Sequence, residues 1–83
     1  MFPTDLATLT SLFVDNSGIT DLTGLESSTA LTTLDISVNQ ISSVAPLANL
    51  TSLSTLVMES NPVVDLSPLS LLTNLTYLYM GYN

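Results

Sequence analysis

The sequence predicts an α/β-type repeat solenoid of about four coils with no evident caps. Each coil gives one short strand to a parallel sheet on the concave side and returns through turns or short 3₁₀ segments on the convex side. Three observations carry this prediction. The chain of 83 residues superposes on itself at a step of 22. Leu9, Leu31, Leu53 and Leu75 fall in one column, Leu12, Leu34, Leu56 and Leu78 in a second, and Val14, Ile36, Met58 and Met80 in a third. Around these columns apolar residues alternate with polar or variable ones, as a strand with one buried face requires. Further apolar columns follow at the same step, Ile19 with Ile41 and Val63, Leu22 with Val44 and Leu66, Leu25 with Leu47 and Leu69. One unit alone has nothing to bury those residues against, so the units must stack.

Taken in order, residues 1–8 are the outer half of a coil without its strand. Residues 9–30, 31–52 and 53–74 are three full repeats, and residues 75–83 a fourth strand without its outer return, all in one domain. Gly18 and Pro62 mark the turn after a strand, and Gly24, Pro46 and Pro68 the outer bend. Asn39, Asn61 and Asn83 share a column whose expected role is structural. Where the strand bends inward its backbone groups lose their ladder partners, and an amide side chain supplies two donors and an acceptor in their place. Repeat 1 departs from the pattern, with Ser17 in the asparagine column and Ser28 where later repeats have Leu50 and Leu72, so looser packing is expected there.

Each unit reads L-x-x-L-x-(V/I/M)-x-x-N, as in LTTLDISVN at residues 31–39 and LSTLVMESN at residues 53–61. This signature resembles the leucine-rich-repeat family. The stretch NQISSVAPLANLTSL at residues 39–53, with Pro46 and Pro68 at one phase, is similar to the 22-residue class of bacterial internalin-like surface proteins. The resemblance covers residues 9–83 and runs weakly back into residues 1–8. It implies a non-enzymatic binding module of an extracellular or cell-surface adhesion protein that meets its partners on the concave face.

Composition narrows the function classes. Lysine, arginine, histidine and cysteine are all absent against seven acidic residues, for a formal charge of -7 and a pI near 4.1. Like-charge repulsion disfavours nucleic acid and an anionic membrane surface as partners. No 18-residue apolar run is present, so no membrane insertion is expected, and the first residues lack the basic and apolar regions of a signal peptide. Only 8% of residues are charged, which leaves a serine- and threonine-rich exterior with little protection against self-association. Without histidine, cysteine or lysine, acid–base work would fall to carboxylates and tyrosines with no evident cleft, and the serines have no base to activate them. No enzyme and no cofactor are expected.

By repeat phase the open face of the sheet carries Phe13, Asp15, Asp35, Val57, Glu59, Tyr77 and Tyr79, with Tyr82 nearby. Large apolar and amphipathic groups placed against water commonly anchor interfaces, so a protein or carbohydrate partner is expected there. Asp15 and Glu59 are two coils apart, roughly 9 to 10 Å at the sheet spacing. A single ion needs several oxygens at about 2.4 Å, and no metal site is expected. The alternative function is structural. The half-coils at the two ends together hold 17 of the 22 residues of a coil. Head-to-tail stacking through Phe2, Leu6, Leu9 and Leu12 of one copy and Leu75, Leu78 and Met80 of the next would build an extracellular filament, because a heterologous contact does not close on itself.

Overall fold

A computed structural model of the chain describes residues 7–81. Four strands, β1 (Ser11–Phe13), β2 (Thr33–Asp35), β3 (Thr55–Val57) and β4 (Tyr77–Tyr79), form one parallel sheet in the order β1-β2-β3-β4. Every pairing joins a residue to the one 22 positions on, as Leu12 to Leu34, Leu34 to Leu56 and Leu56 to Leu78. Three 3₁₀ segments, Leu25–Ser27, Ala45–Leu47 and Ser67–Leu71, make the opposite side. The chain is the leucine-rich solenoid that its period predicts.

The strands are three residues long, but the ladder between coils runs well beyond them. Before each strand, the N–H groups of Thr32 and Thr33 both donate to the carbonyl of Thr10, at 2.8 and 3.2 Å. The hydroxyl of Thr32 donates to the same oxygen at 3.1 Å. Ser54 and Thr55 repeat this on Thr32, and Thr76 and Tyr77 on Ser54. After each strand, Val14 donates to Asp35, Ile36 to Val57 and Met58 to Tyr79, followed by Asn16 to Ser37, Val38 to Glu59 and Ser60 to Gly81. At that last step Asn16, Val38 and Ser60 take φ values of 51°, 55° and 60°. In these three coils the left-handed residue turns the chain out of the sheet.

On the convex side a side-chain acceptor sets each turn. Asp21, Ser43 and Asp65 accept the N–H two residues on, from Thr23, Ala45 and Ser67, at 2.9, 3.3 and 3.0 Å. Such local bonds favour a turn over a continued strand. Gly24, at φ 101°, leads into the first 3₁₀ segment, and Pro46 and Pro68 occupy the opening turns of the other two. Proline fits there because its fixed φ suits the start of a helical turn and its missing N–H had no partner to lose.

The core lies between sheet and turns. Leu34, Ile36, Ile41, Leu47, Leu50, Leu53, Leu56 and Met58 are fully buried in the central coils. Ser28, in the column of Leu50 and Leu72, is fully buried too, with its hydroxyl unpartnered. At the flanks Leu9, Leu12 and Val14 on one side, and Leu69, Leu75 and Met80 on the other, are only partly buried against this core. Phe2, Leu6, Tyr82 and Asn83 lie outside the described residues. No helix among the described residues is long and apolar enough to cross a membrane.

Candidate binding face

Alternation along four in-register strands arranges the open face of the sheet as three parallel rows. The first row runs Ser11, Thr33, Thr55, Tyr77 and the second Phe13, Asp35, Val57, Tyr79. The third, just past the strands, runs Asp15, Ser37, Glu59, Gly81, tied coil to coil by the backbone bonds from Asn16, Val38 and Ser60. Neighbours within a row are about 4.8 Å apart, so Phe13 and Tyr79 stand roughly 14 Å apart at opposite edges of the sheet.

The large side chains of these rows face outward. Phe13 is 65% exposed, Tyr77 59% and Tyr79 49%. Tyr77 and Tyr79 lie with ring centroids 6.4 Å apart and planes 3° from parallel, an offset stack that makes one continuous aromatic surface along β4. Val57, Asp35 and Glu59 are half-buried and Asp15 is exposed. The carboxylate of Glu59 leans toward β4, where a β-carbon on Gly81 would meet its Oε2 at 3.9 Å. Asp35 Oδ1 accepts the N–H of Ser37 at 3.0 Å. With no lysine, arginine or histidine in the chain, none of these carboxylates has a cationic side chain of its own to pair with.

Two residues depart from what alternation alone suggests. Ser37 shares a row with Asp15 and Glu59 and by phase belongs to the open face, yet it is nine-tenths buried and its hydroxyl has no partner. Ser37 has a short side chain between the longer Asp15 and Glu59 of the adjoining coils, and Asp35 Oδ1 accepts its N–H. Val38 itself was not singled out by the pattern. It is 51% exposed, apolar and β-branched, at a backbone conformation that such residues rarely adopt. The signal that finds it is the column Asn16, Val38, Ser60, polar in two coils and apolar in one.

The asparagine column sits beside this face and ties it down. Asn39 Oδ1 accepts the N–H groups of Ser17 and Ile19 at 3.0 Å each, while its amide donates to the carbonyls of Val14, Ile36 and Ser37. Asn61 Oδ1 accepts from Ile41, and its amide donates to Ile36, Met58 and Glu59. Among the described residues there is no pocket, and no three His, Cys, Asp or Glu side chains are grouped closely enough to hold a metal ion.

A parallel sheet with one strand per 22-residue coil, and the buried asparagines Asn39 and Asn61 at inward bends, define a leucine-rich-repeat solenoid that offers the open face of its sheet. The family model for leucine-rich repeats in two copies matches residues 29–71, and the chain belongs to that family. Among solved structures, an internalin (InlF) from Listeria monocytogenes is similar over 93% of this chain and 23% of its own, at 36% identity and a TM-score of 0.91. Internalin C2 from Listeria monocytogenes is similar over 90% of this chain and 35% of its own, at 36% identity and a TM-score of 0.86. The functional domain of InlJ from Listeria monocytogenes, which includes a cysteine ladder, is similar over 88% of this chain and 16% of its own, at 46% identity and a TM-score of 0.82. This chain has no cysteine; its stacked polar columns are asparagine and threonine or serine. The chain thus spans about a third or less of the length of these solved structures. No curated protein matches it at a significant level.

Proposed function

We propose that the chain is a non-enzymatic interaction module of an extracellular or cell-surface adhesion protein, and that it holds a protein partner on the open face of its sheet. The observation that carries this reading is the aromatic surface of Phe13, Tyr77 and Tyr79, held out to water on a rigid ladder of backbone bonds. Exposed aromatic groups on a rigid scaffold supply contact area at low entropic cost. Asp15, Asp35, Val57 and Glu59 complete the face, and Tyr82 adjoins it in sequence. The likeness to internalins supports the extracellular setting, and the missing histidine, cysteine, lysine and arginine support a role without catalysis.

Arrays of extracellular protein domains and of glycans test this reading directly. Binding to protein spots that disappears for a Phe13→Ala, Tyr77→Ala, Tyr79→Ala triple variant is the expected result. Binding confined to glycans assigns a carbohydrate partner instead. Binding that survives the triple variant overturns the assignment of the face.

A second reading, assembly into extracellular filaments, is favoured by one observation. Leu78 is 39% exposed where Leu34 and Leu56 in the same column are fully buried. A second copy placed with Ser11–Phe13 beside Tyr77–Tyr79 would continue the internal register and cover Leu75, Leu78 and Met80 with Leu9 and Leu12, Phe2 and Leu6 adding to that contact. Electron microscopy of the purified chain at increasing concentration decides it. Filaments with a rise near 19 Å per copy, four coils at about 4.8 Å, are the expected product. Monodisperse particles at high concentration remove this reading.

A further inference from the structure

The face described above has a chemical polarity that narrows its partner. Asp35 lies two residues before Ser37 in the same coil, Glu59 neighbours Ser37 in the next coil, and Tyr79 stands on the following strand beside Val57, one row from Glu59. One feature there is left incomplete. The carboxylates have no cationic side chain in the sequence to answer them.

We propose that this part of the sheet, bounded by Asp35, Glu59 and the stacked Tyr77–Tyr79 pair, receives an arginine-bearing segment of the protein partner. The inference rests on the reading of the sheet face as the binding surface. A guanidinium fits better than an ammonium for three reasons. It is planar and stacks on an aromatic face, as the exposed ring of Tyr79 offers. It carries several donors in fixed directions, which suits paired bonds to a carboxylate. It also sheds water more readily than lysine on entering a half-buried site. Across the sheet, Phe13 and Val57 offer the apolar ground for the side chains flanking the arginine, and the net charge of -7 draws such a segment in from a distance.

Panning a random dodecapeptide library against the whole chain tests the proposal and separates it from the broader reading. Arginine-bearing peptides are expected to be enriched, to bind at least tenfold more weakly to Asp35→Asn, Glu59→Gln, and to lose affinity as salt is raised. An Asp21→Asn, Asp65→Asn variant, altered on the convex side, keeps full binding and controls for unspecific attraction to net charge. Enriched peptides that lack arginine, yet no longer bind when Tyr77 and Tyr79 are replaced by alanine, overturn the cationic partner and leave the face standing. Equal weakening by the convex-side variant also overturns it, because the attraction is then to overall charge. Peptides that bind the tyrosine variant undiminished, or no enrichment at all, overturn both.

Discussion

The side-chain amide of Asn61 donates to the carbonyl of Ile36, 25 residues earlier in the chain, at 2.9 Å. The same oxygen accepts the amide of Asn39 at 2.8 Å, so two asparagines of successive coils meet on one backbone group. Asn39 in turn reaches Val14, again 25 residues back, at 3.1 Å. A buried polar chain therefore runs along the solenoid beside the sheet, and it couples coils that are otherwise joined by backbone ladder and leucine contacts.

Replacing Asn61 by alanine strips partners from several buried backbone groups at once. Each unpaired buried group costs about 1–3 kcal/mol, and a total loss of about 3–5 kcal/mol is expected in urea unfolding. Asn61→Asp, which keeps the acceptor but turns the three donor contacts into carboxylate facing carbonyls, should be at least as harmful. A loss below about 1 kcal/mol for both variants would show that the asparagines do not hold the coils together.

Val38 should be improvable. Its φ of 55° puts a β-branched side chain where left-handed backbone costs about 1–2 kcal/mol, whereas Asn16 holds the same place in the preceding coil with a residue type that tolerates it. Val38→Asn is expected to raise the unfolding free energy by about 1 kcal/mol, and Asn16→Val to lower it by a similar amount. If Val38 belongs to the contact surface, the stabilised variant will also bind the partner less well.

The contrast between Asn61 and Val38 shows which parts of the molecule are legible in the sequence. The fold is, because a period of 22 brings Leu34, Leu56 and Leu78 into register without reference to any side-chain angle. The convex bends are, because Pro46 and Pro68 admit few backbone conformations. The left-handed turn at Asn16, Val38 and Ser60 is hidden, since none of the three is glycine and one is valine. Ser37 reads as exposed by alternation, and its burial between the longer Asp15 and Glu59 of the adjoining coils is not encoded by a period. The open face is legible as a set of positions, but the stacking of Tyr77 on Tyr79 is set by side-chain rotation.

Acid should weaken the convex turns. The hydroxyl and then the N–H of Thr23 hold the Asp21 carboxyl below its ordinary value of 3.8, and the N–H and hydroxyl of Ser67 do the same for Asp65. A carboxyl whose pKa falls on folding binds fewer protons folded than unfolded, so its stabilisation is complete above about 3.8 and fades as pH drops through the lower, folded value. Both side chains are exposed and the effect is modest. It is read as a difference: between pH about 6 and about 2.5 the urea midpoint should fall less in Asp21→Asn, Asp65→Asn than in the unaltered chain. Equal falls would show that these two groups do not carry the dependence.

Ser28 offers a gain in the core. Its hydroxyl is buried and unpartnered in a column that later coils fill with leucine. Ser28→Ala removes that polar atom and leaves the backbone bonds from Ser28 to Leu25 and from Leu31 to Ser28 in place. A stabilisation of about 1 kcal/mol is expected, and a loss of stability would mean that the hydroxyl has found a partner in solution.

Stability and binding should separate cleanly on this scaffold. Phe13 and Tyr79 lie on the water side of β1 and β4, and truncating exposed side chains usually changes stability by less than about 0.5 kcal/mol. Leu56, between them on β3, points the other way and is fully buried, so Leu56→Ala should cost about 2–5 kcal/mol. Phe13→Ala and Tyr79→Ala are therefore expected to unfold at nearly the original urea midpoint while losing the partner, whereas Leu56→Ala loses stability first. Substantial unfolding of the aromatic variants would mean that these side chains serve the fold, and that the sheet face owes its aromatic groups to packing rather than to recognition.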